Sequence, residues 1–228
     1  MDKKEHIVIS LGGSLIVPDQ IDADFLKSFV STIKEYVNKG YHFVIITGGG
    51  KTCRRYQKAL SDVSESSSSS LDWLGIYATR LNAEFMRLIF GSLAHSDIII
   101  DPNIVPETDR PIMIGAGWKP GWSSDYDAVV IAEQLNVKRI INLSNIDHAY
   151  DKDPKIYPDA KMIKESSWKD FRALLPKEWN PGLSSPFDPI AAEKAESLSL
   201  EVVIVNGRNM ENLKNYIDNK EFIGTVIK

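Results

Sequence analysis

Ile7-Val8-Ile9-Ser10-Leu11-Gly12-Gly13-Ser14 is a short apolar run that stops at two glycines, and the same grammar returns at Phe43-Val44-Ile45-Ile46-Thr47-Gly48-Gly49-Gly50-Lys51. Between the two runs, Phe25, Phe29, Ile33 and Val37 recur at helical spacing, with Asp22 placed to cap the start and Gly40 just past the end. Continuous β-branched runs separated by an amphipathic helix are the pattern of βα units on a parallel sheet, because such strands are covered on both faces. The stretch therefore predicts an α/β fold.

Working outward, strands are expected at Ile98-Ile99-Ile100, Ile112-Met113-Ile114, Ile140-Ile141, Val202-Val203-Ile204-Val205 and Val226-Ile227. Helices are expected over 51–62, 72–94, 124–135, 189–199 and 210–217. A sheet of roughly six to eight strands follows. The segment Ser64-Glu65-Ser66-Ser67-Ser68-Ser69-Ser70 has no side chain with which to bury a face and reads as a mobile surface loop. Residues 150–188, punctuated by Pro154, Pro158, Pro176, Pro181 and Pro186, read as an irregular excursion between two sheet strands.

A length of 228 residues suits one domain with two lobes, the second beginning near Pro111. With 43% hydrophobic and 25% charged residues, the composition excludes bulk disorder and coiled coil. The 27 Lys+Arg against 31 Asp+Glu leave a net charge of −4, which provides no footprint for nucleic acid or an anionic membrane, so any anion is bound locally. Cys53 stands alone, which excludes an internal disulfide and points to a reducing, cytoplasmic setting. Met1–His6 lacks the apolar core of a signal peptide, and no run of about 18 apolar residues offers a membrane span.

The chemistry gathers where strands end. In α/β sheets ligands bind at the carboxyl ends of strands, and a side-chain-free turn opening a helix presents backbone N–H groups to an anion. Gly12-Gly13-Ser14 and Gly48-Gly49-Gly50-Lys51 are two such cradles, and Lys51 and Arg54 share the first turn of the helix that follows the second. One glycine pair alone would more often be just a tight turn. Two, one of them followed by cations, favour phosphate binding, while Arg55 suits a solvated face. Neither cradle is a P-loop, because Ile45 stands where that motif requires glycine, and the third glycine of the dinucleotide fingerprint is replaced by Cys53. Ser123-Ser124-Asp125 reads both as a helix N-cap and as hydroxyls facing the strand ends. Trp118 and Trp122 read as packing anchors. None of His6, His42, His95 and His148 has a partner at metal-ligand spacing, so no protein metal site is expected.

The ordered series Ile7–Ser14, Gly48-Gly49-Gly50-Lys51-Thr52-x-Arg54, Asp72-x-x-Gly75-Ile76-x-x-Thr79-x-x-Asn82-Ala83, Pro120-Gly121-x-Ser123-Ser124-Asp125, Asn145-Ile146-Asp147-x-x-Tyr150-Asp151-Lys152-Asp153-Pro154 and Asp188-Pro189-x-Ala191-Ala192 resembles the amino acid kinase superfamily, and within it the archaeal-type UMP kinases. The resemblance implies a three-layer αβα sandwich around a mainly parallel sheet, with an acceptor-binding lobe over about 1–110 and an ATP-binding lobe over about 111–228. It implies transfer of the ATP γ-phosphate to UMP in pyrimidine nucleotide synthesis, with Mg²⁺ entering alongside ATP, and a homo-oligomer, hexameric in many UMP kinases. By the same carry-over Gly12, Gly13 and Ser14 contact the transferring phosphates, and Gly49, Gly50 and Arg54 hold the UMP phosphate. Asp72 sits at the UMP ribose or base, Ser123-Ser124-Asp125 lies near UMP and the phosphates, and Asn145, Asp147, Tyr150 and Asp153 line the ATP site. Gly13, Ser14, Lys51 and Asp125 form the expected catalytic set.

The chain departs from the pattern in places. Ser10 occupies the place of a first-strand lysine found in many members, which leaves Lys51, Lys119 and Lys161 as candidates for the cation on the transferred phosphate. Asp147-His148 replaces Asp-Gly, and Trp122 and Tyr126-Asp127 are unusual. An acceptor that is already an anion needs no general base, which accords with the absence of a persuasive one but does not separate UMP from a carboxylate or carbamate acceptor. Kinases of those small acids, and a nucleotide-binding storage or regulatory protein without catalysis, are the alternatives.

Overall fold

The computed structural model describes residues 6–154, 156–176 and 185–228. The sequence readings on Met1–Glu5 and on 177–184, Pro181 included, lie outside them. The first strand, β1 (His6–Leu11), runs into a single helical turn, α1 (Gly13–Ile16), and then α2 (Ala23–Asn38), whose N-terminus is capped by Asp22 accepting the Phe25 N–H at 3.0 Å. Next come β2 (His42–Thr47), α3 (Gly50–Val63), α4 (Ser68–Phe90), β3 (Ile112–Gly115), α5 (Ser124–Gln134) and β4 (Arg139–Ser144). The second half adds β5 (Ala149–Tyr150), β6 (Met162–Ile163), β7 (Glu165–Ser166), α6 (Trp168–Leu174), α7 (Pro189–Ser197), β8 (Glu201–Asn206), α8 (Met210–Ile217) and β9 (Thr225–Ile227).

Seven of these strands form one sheet in the order β3-β2-β1-β4-β8-β9-β7, parallel from β3 to β8, while β9 runs antiparallel to β8. Alternate residues of each strand feed opposite layers. Ile9, Leu11, Ile45, Leu143 and Val205 face α1, α2, α4 and α8, whereas Val8, Val44, Ile46, Ile140 and Ile204 face α5, α6 and α7. Both faces are thus covered, which is why the central strands read as unbroken apolar runs, and the layering is the αβα sandwich expected. Most polar atoms this burial strands find partners, as where the Trp168 indole N–H donates to Leu200 O at 2.7 Å.

Four expectations change. Ile98–Ile100 is not a strand, because Ala94 and Ile99 touch β3 opposite Ile112 and Gly115. Five steps of chain thus span three steps of the neighbouring strand, and the surplus around Ser96-Asp97 breaks the ladder. The serine stretch is only partly a connection, since Ser68–Ser70 form the first turn of α4 and the Ser67 hydroxyl accepts the Ser70 N–H at 3.1 Å. That helix also stops at Phe90, where Gly91 takes φ +57. The excursion from 150 is irregular for the most part but carries the ribbon β5–β6, the edge strand β7 and α6.

Candidate active site

Parallel pairing of β1 with β2 sets Leu11 against Thr47, so the glycines after both strands leave the sheet side by side. The Gly48 N–H donates to Leu11 O at 2.9 Å, and the Gly12 N–H to Leu143 O at 2.9 Å, which ties both turns to the three central strands. The turns meet backbone to backbone. A Cβ on Gly13 would stand 2.1 Å from Gly50 N and 2.5 Å from the Gly48 carbonyl carbon, and Gly50 holds φ +63. Asn82 of α4 braces the second turn by donating to Gly48 O at 2.7 Å, a role for the family motif's Asn82 that no sequence rule assigned.

A cavity of about 270 Å³ opens over this junction, and Gly13, Ser14, Gly49, Gly50, Arg54 and Asp125 are among its lining. Among the described residues Arg54 is its cationic wall. Lys51 sits on the same helical turn outside that lining, its N–H on Val17 O at 2.9 Å. Lys119 folds away over the Trp118 ring, 3.7 Å from its centroid, and the Lys161 N–H is tied to Asp151 Oδ1 at 2.8 Å in the loop beyond β5.

Asp125 lies on the first turn of α5, where Ser123 caps the helix by accepting the Tyr126 N–H at 3.2 Å. Its Oδ1 accepts from the Ser10 hydroxyl at 2.7 Å and from Asn142 Nδ2 at 3.3 Å, and its Oδ2 accepts the Asp188 N–H at 3.3 Å. Ser10 and Asn142 are cross-strand partners on β1 and β4, so the residue standing in the lysine's place helps to hold a carboxylate. Burial pushes the Asp125 carboxyl up to about 6 against the pull of the Ser10 hydrogen bond, and the neighbouring Asp188 carboxylate adds to the rise. Asp188, which sequence reasoning quoted in a motif without a role, caps α7 through Ala191 N–H at 2.6 Å, and its Oδ2 is buried without a hydrogen-bond partner. Burial raises Asp188 as well. An Asp directly before a Pro at a helix start was the available signal.

A carboxyl whose folded-state pKa is raised binds more protons folded than unfolded between the two values, so stability declines as pH rises through that window. The cavity-facing Asp125 should therefore contribute a pH-dependent loss of its own, on the order of 2 kcal/mol less stability at pH 7 than at pH 4. Asp125→Asn should flatten that slope while losing turnover. Melting curves across pH check this, and a variant with the wild-type slope refutes it.

A smaller cavity of about 110 Å³, lined by Asp72, Gly75, Thr79, Gly117 and Trp122, continues from the first through the shared Gly49, Cys53, Ser123 and Ser124. Asp72 is buried, its carboxyl raised by that burial, and its Oδ2 accepts the Gly121 N–H at 2.9 Å. The structure thus brings the expected acceptor set together in one cleft. Asn145, Asp147, Tyr150 and Asp153 lie apart from it, in the segment after β4, with Asp147 Oδ1 receiving Asn206 Nδ2 from the end of β8 at 2.8 Å. Gly12, expected to contact phosphate, is outside the lining of both cavities, its N–H spent on Leu143 O and its would-be Cβ 2.8 Å from the same atom.

Residues 5–206 match the model of the amino acid kinase family. The chain is 34% identical over 229 residues to the uridylate kinase of Thermoplasma volcanium, covering 98% of each, and 34% identical over 225 residues to that of Thermoplasma acidophilum, covering 98% and 96%. The crystal structure of uridylate kinase from Archaeoglobus fulgidus superposes with a TM-score of 0.80 at 26% identity, over 97% of this chain and 99% of that one. That of UMP kinase from Ureaplasma parvum, at 20% identity and a TM-score of 0.77 over 99% of both chains, shares the fold. Abutting glycine turns, full-length similarity and a common topology lead to one assignment: the chain belongs to the amino acid kinase family.

Proposed function

We propose that the protein is a UMP kinase, transferring the γ-phosphate of ATP to UMP to form UDP and ADP in pyrimidine nucleotide synthesis. The observation that carries the reading is the contact between the two glycine turns, which sets two stretches of side-chain-free backbone side by side under one cavity, where a donor and an acceptor phosphate can meet. In-line transfer forms a bond from a UMP phosphate oxygen to the γ-phosphorus and breaks the bond to the β,γ-bridging oxygen, which leaves with ADP. That chemistry asks for positioning and charge neutralisation rather than a base.

In this reading Gly13 and Ser14 hold the transferring phosphates, with Gly12 fixing their turn through its N–H on Leu143 O, and Gly49, Gly50 and Arg54 hold the acceptor phosphate. Asp72 accepts from the nucleoside, Ser123 and Ser124 line the passage between the cavities, and Asp125 orders the phosphate end. Lys51, on the same helical turn as Arg54, is the cation assigned to the transferred phosphate in this reading. Asn145, Asp147, Tyr150 and Asp153 receive ATP in the half from about 111 to 228, with the acceptor bound by the half from about 1 to 110 of a single domain. ATP enters as its Mg²⁺ complex. The carboxylates of Asp125 and Asp188, the latter with an unpartnered buried oxygen, suit a hard dication that takes its other ligands from phosphates and water and neutralises phosphate charge. Among the described residues no cluster of three or more such ligands exists.

Trp73, Tyr77, Leu81 and Leu88 are 40, 60, 63 and 61% exposed along one stripe of α4, and an apolar helix face of this kind supports a homo-oligomer, with a hexamer built from pairs that share it. Sedimentation equilibrium giving the mass of one chain would overturn that. No helix among the described residues is long and apolar enough to cross a membrane. In this reading the enzyme acts in the cytoplasm, where its nucleotide substrates are held.

The test is ADP release measured with UMP, CMP, dTMP, acetylglutamate and carbamate as acceptors. Turnover with UMP is expected to dominate. Clear turnover of another acceptor without UMP turnover refutes the substrate, and stabilisation by ATP-Mg with no turnover of any acceptor favours a non-catalytic nucleotide binder.

A further inference from the structure

The small cavity has one aromatic wall, Trp122, and it is placed with unusual firmness for a loop residue. The loop that carries it is fastened to α4 and α5 through four side chains, Asp72, Thr79, Arg80 and Asp127. Gly117 N–H donates to Thr79 Oγ1 at 2.8 Å, Arg80 Nη2 to Trp118 O at 2.9 Å, Trp118 N–H to Asp127 Oδ2 at 3.3 Å, and Gly121 N–H to Asp72 Oδ2 at 2.9 Å. Gly121 takes φ +89 immediately before the ring, a turn that an L side chain would resist. The ring is then backed by Tyr126 at 4.1 Å between centroids and flanked by Trp118 at 6.3 Å. A single packing anchor needs none of these fastenings, whereas a recognition surface needs its orientation set in advance.

The order of groups along the cleft says what meets that surface. Arg54 and the glycine turns mark the phosphate end in the larger cavity, and the smaller one, which Trp122 walls, lies beyond the shared Gly49 and Ser123. In the same lining Gly75 and Gly117 carry no side chain, and a Cβ there would meet Cys53 Sγ at 3.3 Å and Thr79 Oγ1 at 2.9 Å. A flat, uncharged ring attached to a phosphate through a sugar fits this sequence of features.

We infer that Trp122 is the stacking platform for the acceptor's base, supplying affinity for the pyrimidine ring, while hydrogen-bonding groups such as Asp72 supply the choice between bases. This rests on the UMP kinase reading. Stacking is indifferent to the pattern of donors and acceptors on a ring, so Trp122 strengthens UMP and CMP binding by the same factor.

The experiment compares wild type, Trp122→Phe and Trp122→Ala by steady-state kinetics with UMP and by competitive inhibition with CMP and with ribose 5-phosphate, which keeps the sugar phosphate but lacks the base. Trp122→Ala is expected to raise the KM for UMP and the inhibition constant for CMP about tenfold or more, with the KM for ATP and the ribose 5-phosphate constant unchanged. Trp122→Phe should recover most of the loss. Unchanged UMP kinetics in Trp122→Ala overturn the inference, as does an equal loss for ribose 5-phosphate, which would mark a loop that merely collapsed. A wild-type protein that turns over a different acceptor and ignores UMP overturns the kinase reading itself and this inference with it.

Discussion

Gly13→Ala should cost the protein both its activity and much of its heat stability. The added methyl would lie 2.1 Å from Gly50 N, 2.5 Å from the Gly48 carbonyl carbon and 2.7 Å from Gly48 O. Every clashing atom is main chain, and both turns are tied to strands whose register is set by continuous parallel pairing, so no rotamer change relieves the contact. Overpacking of this kind costs roughly 3 kcal/mol or more, which at this chain length lowers the melting temperature by about 10 °C. Moving the two turns apart by about 1 Å is also enough to reduce turnover about a hundredfold or more, because phosphoryl transfer depends on the facing of donor and acceptor. Gly40→Ala is the control. Gly40 has φ +94 but nothing within 4 Å of a Cβ, so that variant should lose on the order of 1 kcal/mol of stability and keep its kinetics. Differential scanning fluorimetry with steady-state assays decides the matter, and a Gly13→Ala enzyme with wild-type melting and turnover contradicts the abutting turns.

Arg54→Ala should separate binding from folding. Arg54 is exposed, lines the larger cavity and has no ion pair among the described residues, so its loss leaves the core intact. In the UMP kinase reading it grips the acceptor phosphate with charge-assisted hydrogen bonds worth about 1.5–3 kcal/mol each. The KM for UMP should rise about a hundredfold, the equivalent of roughly 2.7 kcal/mol. The KM for ATP and the unliganded melting temperature should hold. Stabilisation by UMP in a thermal-shift assay should vanish while that by ATP-Mg persists. Arg54→Lys should fall between, since a point charge replaces a fork. If UMP binds the alanine variant as tightly as the wild type, the acceptor phosphate lies elsewhere.

Much of the fold was legible because β1, β2, β4 and β8 are buried on both faces and announce it with unbroken apolar runs. Asp22 and Ser123 were legible as caps because capping depends on a residue's own next turn. Ile98–Ile100 misled for the opposite reason. Its residues favour a strand, but only Ile99 pairs, and pairing is a property of the neighbour. The serine stretch misled because its composition outweighed its position, and Ser67 was in place to start a helix.

The candidate site divides along the same line. From the residues alone came two glycine turns at strand ends, a nearby arginine, and a serine pair ahead of Asp125, since each depends on order along a few consecutive residues. Folding alone decided that Gly13 lies against Gly50, and that Ser10 bonds Asp125 across 115 positions. It also decided that Asp188 joins that carboxylate and that Lys51 stays outside the cavity lining beside Arg54. Local spacing specifies turns and caps. Which turn faces which follows from strand order and register, which are set by how the whole chain buries its apolar faces.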